Sequence, residues 1–158
     1  MKRCFIIGVA FFIMLSACSI TSKMHNKTIN NKLVNRLIES NGNVFYINST
    51  YIIISYVWTY DKDNVVIYKL KKGKVIDTKM FTAIGVSVWI KTPPTDDYFE
   101  LDSCMELDGD MFGYWIKDGE NIKHKDYPIN LECFRNGTYK SDFINKIVRD
   151  INEYKIKW

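Results

Sequence analysis

Between residues 43 and 134 the sequence alternates short apolar segments with turn-forming residues, and this alternation restricts the fold more than any other feature. The segments are rich in the β-branched and aromatic residues that favour strands; they span residues 43–47, 50–60, 65–81, 84–91, 98–107, 111–117 and 127–134. Residues typical of turns separate them, at Asn48-Ser49, Lys72-Gly73-Lys74, Thr92-Pro93-Pro94-Thr95, Asp108-Gly109, Asp118-Gly119 and Asn136-Gly137. This pattern predicts an antiparallel meander.

Amphipathic helices are predicted on both sides of the strands. In residues 26–40, Ile29, Leu33 and Leu37 recur every four residues, and Gly42 supplies a stop signal. Near the C-terminus Ser141 is suited to cap a helix, whose apolar positions are Phe143, Ile144, Ile147, Val148 and Ile151. The expected fold is α+β, a mostly antiparallel sheet of about seven strands with an N-terminal and a C-terminal amphipathic helix.

Two details of the sheet can also be predicted. The run Tyr51-Ile52-Ile53-Ile54 is apolar throughout, which predicts a central strand covered on both faces. In the hairpin at 65–81, a three-residue loop pairs Leu70 with Ile76, Lys69 with Asp77, Tyr68 with Thr78 and Val66 with Met80. A two-residue loop instead pairs Lys69 with Ile76 and Tyr68 with Asp77. We favour the first register because it separates apolar from charged faces. In this register Gly73 is the middle residue of the loop, whereas the common bulged turn has its glycine at the last loop position.

The N-terminal residues have the order of a secretory signal. Lys2 and Arg3 precede an apolar run, 5–15, which ends in Leu15-Ser16-Ala17-Cys18. About eleven residues make a helix roughly 16 Å long, about half of a bilayer core. The segment resembles a bacterial lipoprotein signal peptide that ends in a lipobox. The alternative is an ordinary secretory signal followed by a coincidental cysteine.

The lipoprotein resemblance implies how the chain is processed and where it is held. Residues 1–17 are removed, Cys18 carries the lipid, residues 18–27 form a polar tether, and residues 28–158 form a single globular domain. Ser19, rather than Asp, follows the cysteine, which by the same resemblance directs the protein to the periplasmic side of the outer membrane. The alternatives are the inner or cell membrane, or the cell surface.

Charge and motif content exclude several classes of function. The formal net charge of +4 falls by two when Lys2 and Arg3 are removed, which argues against a nucleic-acid binder. The two histidines, His25 and His124, lie in no pattern typical of a catalytic triad or a metal site, and there is no glycine-rich phosphate loop. We therefore assign no catalytic residue, metal or cofactor, and expect a protein that is not an enzyme.

Acidic residues cluster in one stretch that contains no Lys or Arg between Lys91 and Lys117. A strand over residues 98–108 would place four of them on one outer face, with Leu107 facing inward. The spacing does not fit a calcium loop, and a carboxylate pair for glycoside hydrolysis has no sign of a cleft. A solvated face and a contact with a basic protein partner remain open. The candidate partner-binding residues are Asp96, Asp97, Glu100, Asp102, Glu106, Asp108 and Asp110.

Cys104 and Cys133 are the remaining pair of cysteines outside the signal segment. An exported, oxidising compartment favours a disulfide bond between them. Strand alternation places Cys104 outward and Cys133 inward, so either a bulge intervenes, one strand is displaced by a residue, or the bond is absent.

Two other side-chain groups have ordinary structural explanations. Tyr56, Trp58 and Tyr60 alternate along one strand face and are expected in the core rather than in a carbohydrate platform. Protection of an edge strand accounts for the lysines of the hairpin better than phosphate or lipid-headgroup contact does; they are Lys62, Lys69, Lys71, Lys72, Lys74 and Lys79.

The function is predicted from the general layout. A lipobox followed by a compact β-rich domain resembles the periplasmic immunity proteins that neutralise effectors delivered by neighbouring cells. This resemblance implies a membrane-anchored, non-enzymatic protein whose partner has a basic surface. The alternative is a structural or assembly lipoprotein of the cell envelope.

Overall fold

The protein is an α+β fold, built on a mostly antiparallel six-stranded sheet in the part of the chain that the structure describes. A computed structural model describes residues 29–61, 63–82 and 101–157. Neighbouring strands are antiparallel throughout, in the order β4-β3-β2-β1-β5-β6. The elements are α1 (Asn31–Asn41), β1 (Asn43–Asn48), β2 (Ile54–Asp61), β3 (Asn64–Lys71), β4 (Lys74–Thr82), a 3₁₀ turn (Asp102–Cys104), β5 (Met105–Asp118), β6 (Asn121–Ile129), α2 (Leu131–Asn136) and α3 (Asp142–Glu153).

Several sequence predictions lie outside the described residues. They are the signal segment 1–17, the tether 18–27 with the lipidated Cys18, the strand 84–91 with the proline turn after it, and the acidic residues Asp96, Asp97 and Glu100. Within the described ranges, every helix is too short or too polar to cross a membrane.

The centre of the sheet is covered on both faces. All six residues of β1 are buried. Val44 and Tyr46 pack with α1 on one face, while Phe45 and Ile47 join the larger cluster that contains α2 and α3 on the other. The helices therefore form a layer on each side of the sheet, an arrangement that explains why β1 and β2 are buried at nearly every position.

The prediction of a doubly covered strand at residues 51–54 was wrong. Tyr51, Ile52 and Ile53 are 80%, 46% and 48% exposed, and β2 begins only at Ile54. The Ser49 hydroxyl oxygen accepts hydrogen bonds from the backbone N–H groups of Tyr51 and Ile52, at 3.3 and 3.1 Å. This side-chain turn replaces the ladder that β propensity alone would favour.

Both registers weighed for the β3–β4 hairpin are correct in part. Its loop has two residues, Lys72-Gly73, both with positive φ (51° and 73°), as a tight hairpin requires. Beyond the turn, the pairs are those of the favoured register: Lys69–Asp77, Tyr68–Thr78 and Val66–Met80. The predicted Leu70–Ile76 pair was wrong, because Leu70 pairs with Val75 and Ile76 is the extra residue of a bulge.

The two predicted helices are present, and their caps explain their limits. Asn30 caps α1 by accepting a hydrogen bond from Leu33 N–H, and the helix ends at Gly42. Ser141 caps α3 as predicted, accepting from Ile144 N–H. The five predicted apolar positions of α3 are all buried.

The strand predicted at residues 127–134 was wrong beyond Ile129. Asn130 accepts a hydrogen bond from Cys133 N–H at 3.0 Å and starts the short helix α2. Leu131 and Phe134, three residues apart, are its buried positions. A capping residue followed by helical spacing therefore outweighed the apolar alternation of the segment.

A buried polar group lies between α3 and β2. The Lys146 ammonium and the Tyr60 hydroxyl both donate to the carboxylate of Asp150, which is fully buried. Burial raises the pKa of Asp150 above its ordinary value of 3.8, while the hydrogen bonds from Lys146 and Tyr60 oppose that shift. Each member satisfies another, so the group is stable only when it is complete.

Replacing Lys146 with Met should leave Asp150 buried without its cation. We expect the free energy of unfolding to fall by about 3–5 kcal/mol at neutral pH. Without the cation the pKa of Asp150 rises further, so the folded variant holds a proton that the unfolded chain releases. Its stability is then lost as the pH rises above the ordinary Asp value of 3.8. Urea titrations at about pH 4 and about pH 7 measure both effects.

The matched control removes the whole group. In the triple variant Tyr60→Phe, Lys146→Met, Asp150→Leu, no charge or hydroxyl of this group is left buried. We expect it to recover most of the stability that Lys146→Met loses. If single and triple variants are equally unstable, packing and not charge pairing holds this region together.

Candidate protein-binding surface

The acidic stretch does not form the single strand that the sequence predicted. Leu101 is helical, residues 102–104 form the 3₁₀ turn, and β5 begins only at Met105. Met105 and Asp110 both pair with Ile129 of β6, so the four residues between them loop out of the ladder. We call residues 106–109 the acidic bulge; it replaces the hairpin turn predicted at Asp108-Gly109.

The acidic bulge reverses the predicted direction of its one apolar side chain. Leu107 was expected to face inward, but it is 98% exposed. Glu106 and Asp108 on either side of it are also exposed, as is Asp102, and Asp110 is half-buried. Strand alternation does not apply to looped-out residues, and for that reason the prediction of an acidic face with an inward Leu107 was wrong.

Gly109 allows the acidic bulge to close. A Cβ atom at this position would come within 3.0 Å of the carbonyl oxygen and carbon of Ile129, and these are backbone atoms that cannot move aside. Only a glycine lets β5 return to the ladder this close to the end of β6.

A disulfide bond fixes the start of the acidic bulge to α2. Cys104 and Cys133 are bonded, with their Cα atoms 5.5 Å apart. The alternation of side chains along a strand, which placed Cys104 outward and Cys133 inward, does not apply to this pair. Cys104 lies in the 3₁₀ turn and Cys133 on a helix. Asn130 N–H also donates to the carbonyl oxygen of Cys104, at 2.8 Å. The bond closes a loop of about thirty residues, which stabilises the fold by about 3–4 kcal/mol.

An open groove of about 630 Å³ lies between the acidic bulge and α2. Carboxylates of Glu106, Asp110 and Glu132 line it together with the cationic side chains of Arg135 and Lys157. The Asn130 side-chain amide donates to Glu106 at 3.1 Å. This mixed lining is suited to polar contacts along a protein surface, and it lacks the enclosed apolar walls typical of a small-molecule pocket.

The loop between β1 and β2 lies directly against the acidic bulge. The Thr50 hydroxyl donates to the carbonyl oxygen of Gly109, and Thr50 N–H donates to Asp110 at 3.2 Å. These bonds hold the 50–53 loop, whose exposed side chains are Tyr51, Ile52 and Ile53, beside the carboxylates. Exposed aromatic and aliphatic side chains next to charges are typical of protein interfaces.

Three lysines lie at the same end of the sheet. Met111, Asn48, Ser55 and Leu70 form one row of paired residues across β5, β1, β2 and β3. Lys71, Lys72 and Lys74, which we call the lysine turn, lie just beyond this row and are exposed. Lys72 N–H donates to the carbonyl oxygen of Ile53 at 3.1 Å, so the 50–53 loop contacts both charged groups.

The other hairpin lysines differ in their surroundings. Lys79 is exposed on β4, the last strand of the described sheet, and Lys69 lies over the ring of Tyr56 at 5.4 Å. Lys62 is outside the described residues. Tyr56, Trp58 and Tyr60 are buried in the core as predicted, and so they cannot form a carbohydrate platform.

A hydrogen-bonded cluster that the sequence did not suggest lies near the β6 edge. The Tyr46 hydroxyl donates a hydrogen bond to Asp126, whose carboxylate also lies 2.8 Å from His124 Nε2, and the His124 ring stacks on Trp115. Burial and the neighbouring carboxylate raise the pKa of Tyr46 far above its ordinary value. A Cβ on Gly113 would collide with Tyr46 and Asp126, so the glycine at this position is the sequence feature that indicates their close approach.

This cluster ties three strands together rather than presenting reactive groups. Tyr46 comes from β1 and reaches Asp126 of β6 across Gly113 of β5, which pairs with both residues. Across the described ranges, there is no set of three His, Cys, Asp or Glu side chains placed to hold a metal ion.

Gly109→Ala should distort the acidic bulge. The added methyl group meets backbone atoms of Ile129, so we expect a loss of about 1–3 kcal/mol of stability. Asp108→Ala, at the adjacent exposed position, should change it by less than about 0.5 kcal/mol. Thermal unfolding followed by circular dichroism compares the two variants, and equal melting temperatures would contradict the close approach at Gly109.

Comparison with known proteins identifies no relative of this chain. No protein-family model, no curated protein and no solved structure matches the chain.

Proposed function

We propose that the chain is a membrane-anchored periplasmic lipoprotein whose domain binds a protein partner with a basic surface and carries out no catalysis. The observation that carries the proposal is the joining of the acidic bulge to the 50–53 loop through Thr50. This contact sets exposed apolar side chains beside three carboxylates on a rigid part of the fold. The lipid on Cys18 follows from the lipobox resemblance alone.

The chemistry of this surface favours a protein over a small ligand. Leu107 and Tyr51 are almost fully exposed, and burying them in a complex would supply the apolar contacts that dominate binding energy. Glu106, Asp108 and Asp110 would attract a basic surface and orient it during encounter. An immunity protein that neutralises a delivered effector fits these requirements, because it needs fast and specific recognition of one protein.

The disulfide bond supports the same interpretation. Cys104 precedes the acidic bulge directly, and its bond to Cys133 limits the motion of the bulge relative to α2. A surface that is rigid before binding loses less conformational entropy in the complex. Such preorganisation is useful for tight binding of a protein, and the oxidising periplasm would maintain it.

Leu107→Ala should weaken partner binding without changing the stability of the free protein. The side chain is 98% exposed, so its loss leaves the fold unaffected, whereas a central interface position loses about 1–2 kcal/mol of binding free energy. The measurement is quantitative mass spectrometry of proteins captured from envelope extracts and from extracts of competing strains. Ile122→Ala, an exposed aliphatic position at the other end of the sheet, is the matched control.

Reversal of two charges tests the electrostatic part. The variant Glu106→Lys, Asp108→Lys should bind the partner at least tenfold more weakly than the wild type. Capture of the partner by the wild type should weaken as the salt concentration is raised. The control variant Asp118→Lys, Glu120→Lys changes two exposed acids at the opposite turn. If both variants capture the same proteins as the wild type, the acidic bulge is only a solvated surface.

A Cys18→Ser variant in which an ordinary cleavable secretory signal replaces residues 1–17 should be released from the membrane. Two or three acyl chains hold a protein firmly, whereas none leaves only weak surface contact. We expect the variant in the soluble fraction after cell breakage and the wild type in the membrane fraction. The mass of the N-terminal peptide provides an independent test, since a mature end at any residue other than Cys18 would contradict the anchoring proposal.

A further inference from the structure

The end of the sheet that carries the candidate surface has positive side chains at one side and negative side chains at the other. The lysine turn lies between β3 and β4, and the acidic bulge lies in β5, so about three and a half strand spacings separate them across the order β4-β3-β2-β1-β5. At about 4.8 Å per spacing the separation is roughly 17 Å. This exceeds the Debye length of about 8 Å at physiological ionic strength. The two charged groups therefore do not neutralise each other within one molecule.

The lysine turn is locally unfavourable in the isolated chain. Lys71 and Lys74 are direct cross-strand partners, an arrangement in which like charges repel. Lys72 between them takes a positive φ of 51°, where Asn or Gly is preferred. Within the described ranges, no carboxylate forms an ion pair with these three ammonium groups. An acidic group brought to this turn from another molecule would relieve the repulsion.

The apolar side chains lie midway between the two charged groups. The 50–53 loop connects β1 and β2, which are the third and fourth strands from the β4 edge, close to the midpoint of the 17 Å separation. Tyr51, Ile52 and Ile53 are its exposed residues. Along the end of the sheet the order is therefore positive, apolar, negative, with Arg135 and Lys157 as the cations in the groove beside the acidic bulge.

We propose that a second copy of this chain docks on this end of the sheet and forms a two-fold symmetric dimer. An axis through the 50–53 loop places the lysine turn of each copy against the acidic bulge of the other and packs the two loops together. A two-fold interface must be self-complementary, and the order positive, apolar, negative meets that condition. The inference goes beyond the proposed function, because it concerns this chain alone.

A uniformly charged partner fits this end less well. An anionic lipid surface would attract the lysine turn but repel the acidic bulge beside it. A wholly basic protein would match only the acidic half. The contact area is small for a permanent dimer, so we expect dissociation constants on the order of micromolar. Because the dimer covers the acidic bulge, a heterologous partner would have to displace one copy.

Sedimentation velocity of the mature chain, residues 18–158 carrying Cys18→Ser, tests the dimer in the absence of any partner. The wild-type surface should give a concentration-dependent dimer that weakens as salt is raised. The variants Lys71→Glu, Lys74→Glu and Glu106→Lys, Asp108→Lys should each weaken self-association at least tenfold. Mixed in equal amounts, they should associate with each other, because the end of one variant then carries mostly acidic side chains and the end of the other mostly basic ones.

The control variant is Lys117→Glu, Lys123→Glu, which changes two exposed lysines at the opposite end of the sheet and should dimerise like the wild type. Any of the following results would overturn the proposal: a monomer at about 100 μM, about a hundred times the expected constant; wild-type self-association in either reversed variant; or no association in the mixture. Loss of binding to phosphatidylglycerol vesicles by a Lys71→Glu, Lys74→Glu variant that still dimerises would assign the turn to lipid and also overturn it. None of these results decides whether a heterologous partner binds, because the preparation contains this chain alone.

Discussion

Burial of β1 on both faces is the constraint on which the rest of the structure depends. A strand with no exposed residue needs a strand on each edge and an apolar layer on each face. β2 and β5 are the hydrogen-bonded neighbours of β1. α1 covers one face through Val44 and Tyr46, and α3 covers the other through contacts such as that of Phe45 with Phe143. The hairpin and β6 extend this centre outward. Exposed apolar residues lie on the 50–53 loop and the acidic bulge, and also on the outer strands of the described sheet, at Val75, Ile76 and Met80 of β4 and Ile122 of β6.

The sequence predicted those parts of the fold in which one local signal acted without competition. The caps at Gly42 and Ser141 and the alternating core residues of β2 were predicted correctly, since capping and periodicity agree there. Where two signals competed, the prediction failed. Residues 51–53 have high β propensity but form a turn around Ser49, and the segment after Asn130 alternates like a strand but is capped as a helix.

The candidate surface was predictable in composition but not in shape. The acidic residues of the 96–110 stretch and the lysines of the hairpin were recognised, and so was the pairing of Cys104 with Cys133. The acidic bulge and the lysine turn lie at one end of the sheet because of the strand order, which no local pattern contains. The bulge depends on both Met105 and Asp110 pairing with Ile129, a non-local register that strand parity cannot predict. For the same reason the exposure of Leu107 could not be derived from its sequence neighbours.

The separation between the core and the surface has a consequence for specificity. Backbone hydrogen bonds from Thr50 and Lys72, and the disulfide at Cys104, fix the positions of the exposed loops, whereas the side chains of Tyr51 and Leu107 contribute little to stability. Exposed side chains on fixed backbone can change with small effects on the fold, of about 0.5 kcal/mol or less. On the proposed function, substitutions of these side chains would change what this end of the sheet binds while the sheet stays the same. Gly109 is the exception, because its replacement changes the backbone path and the surface together.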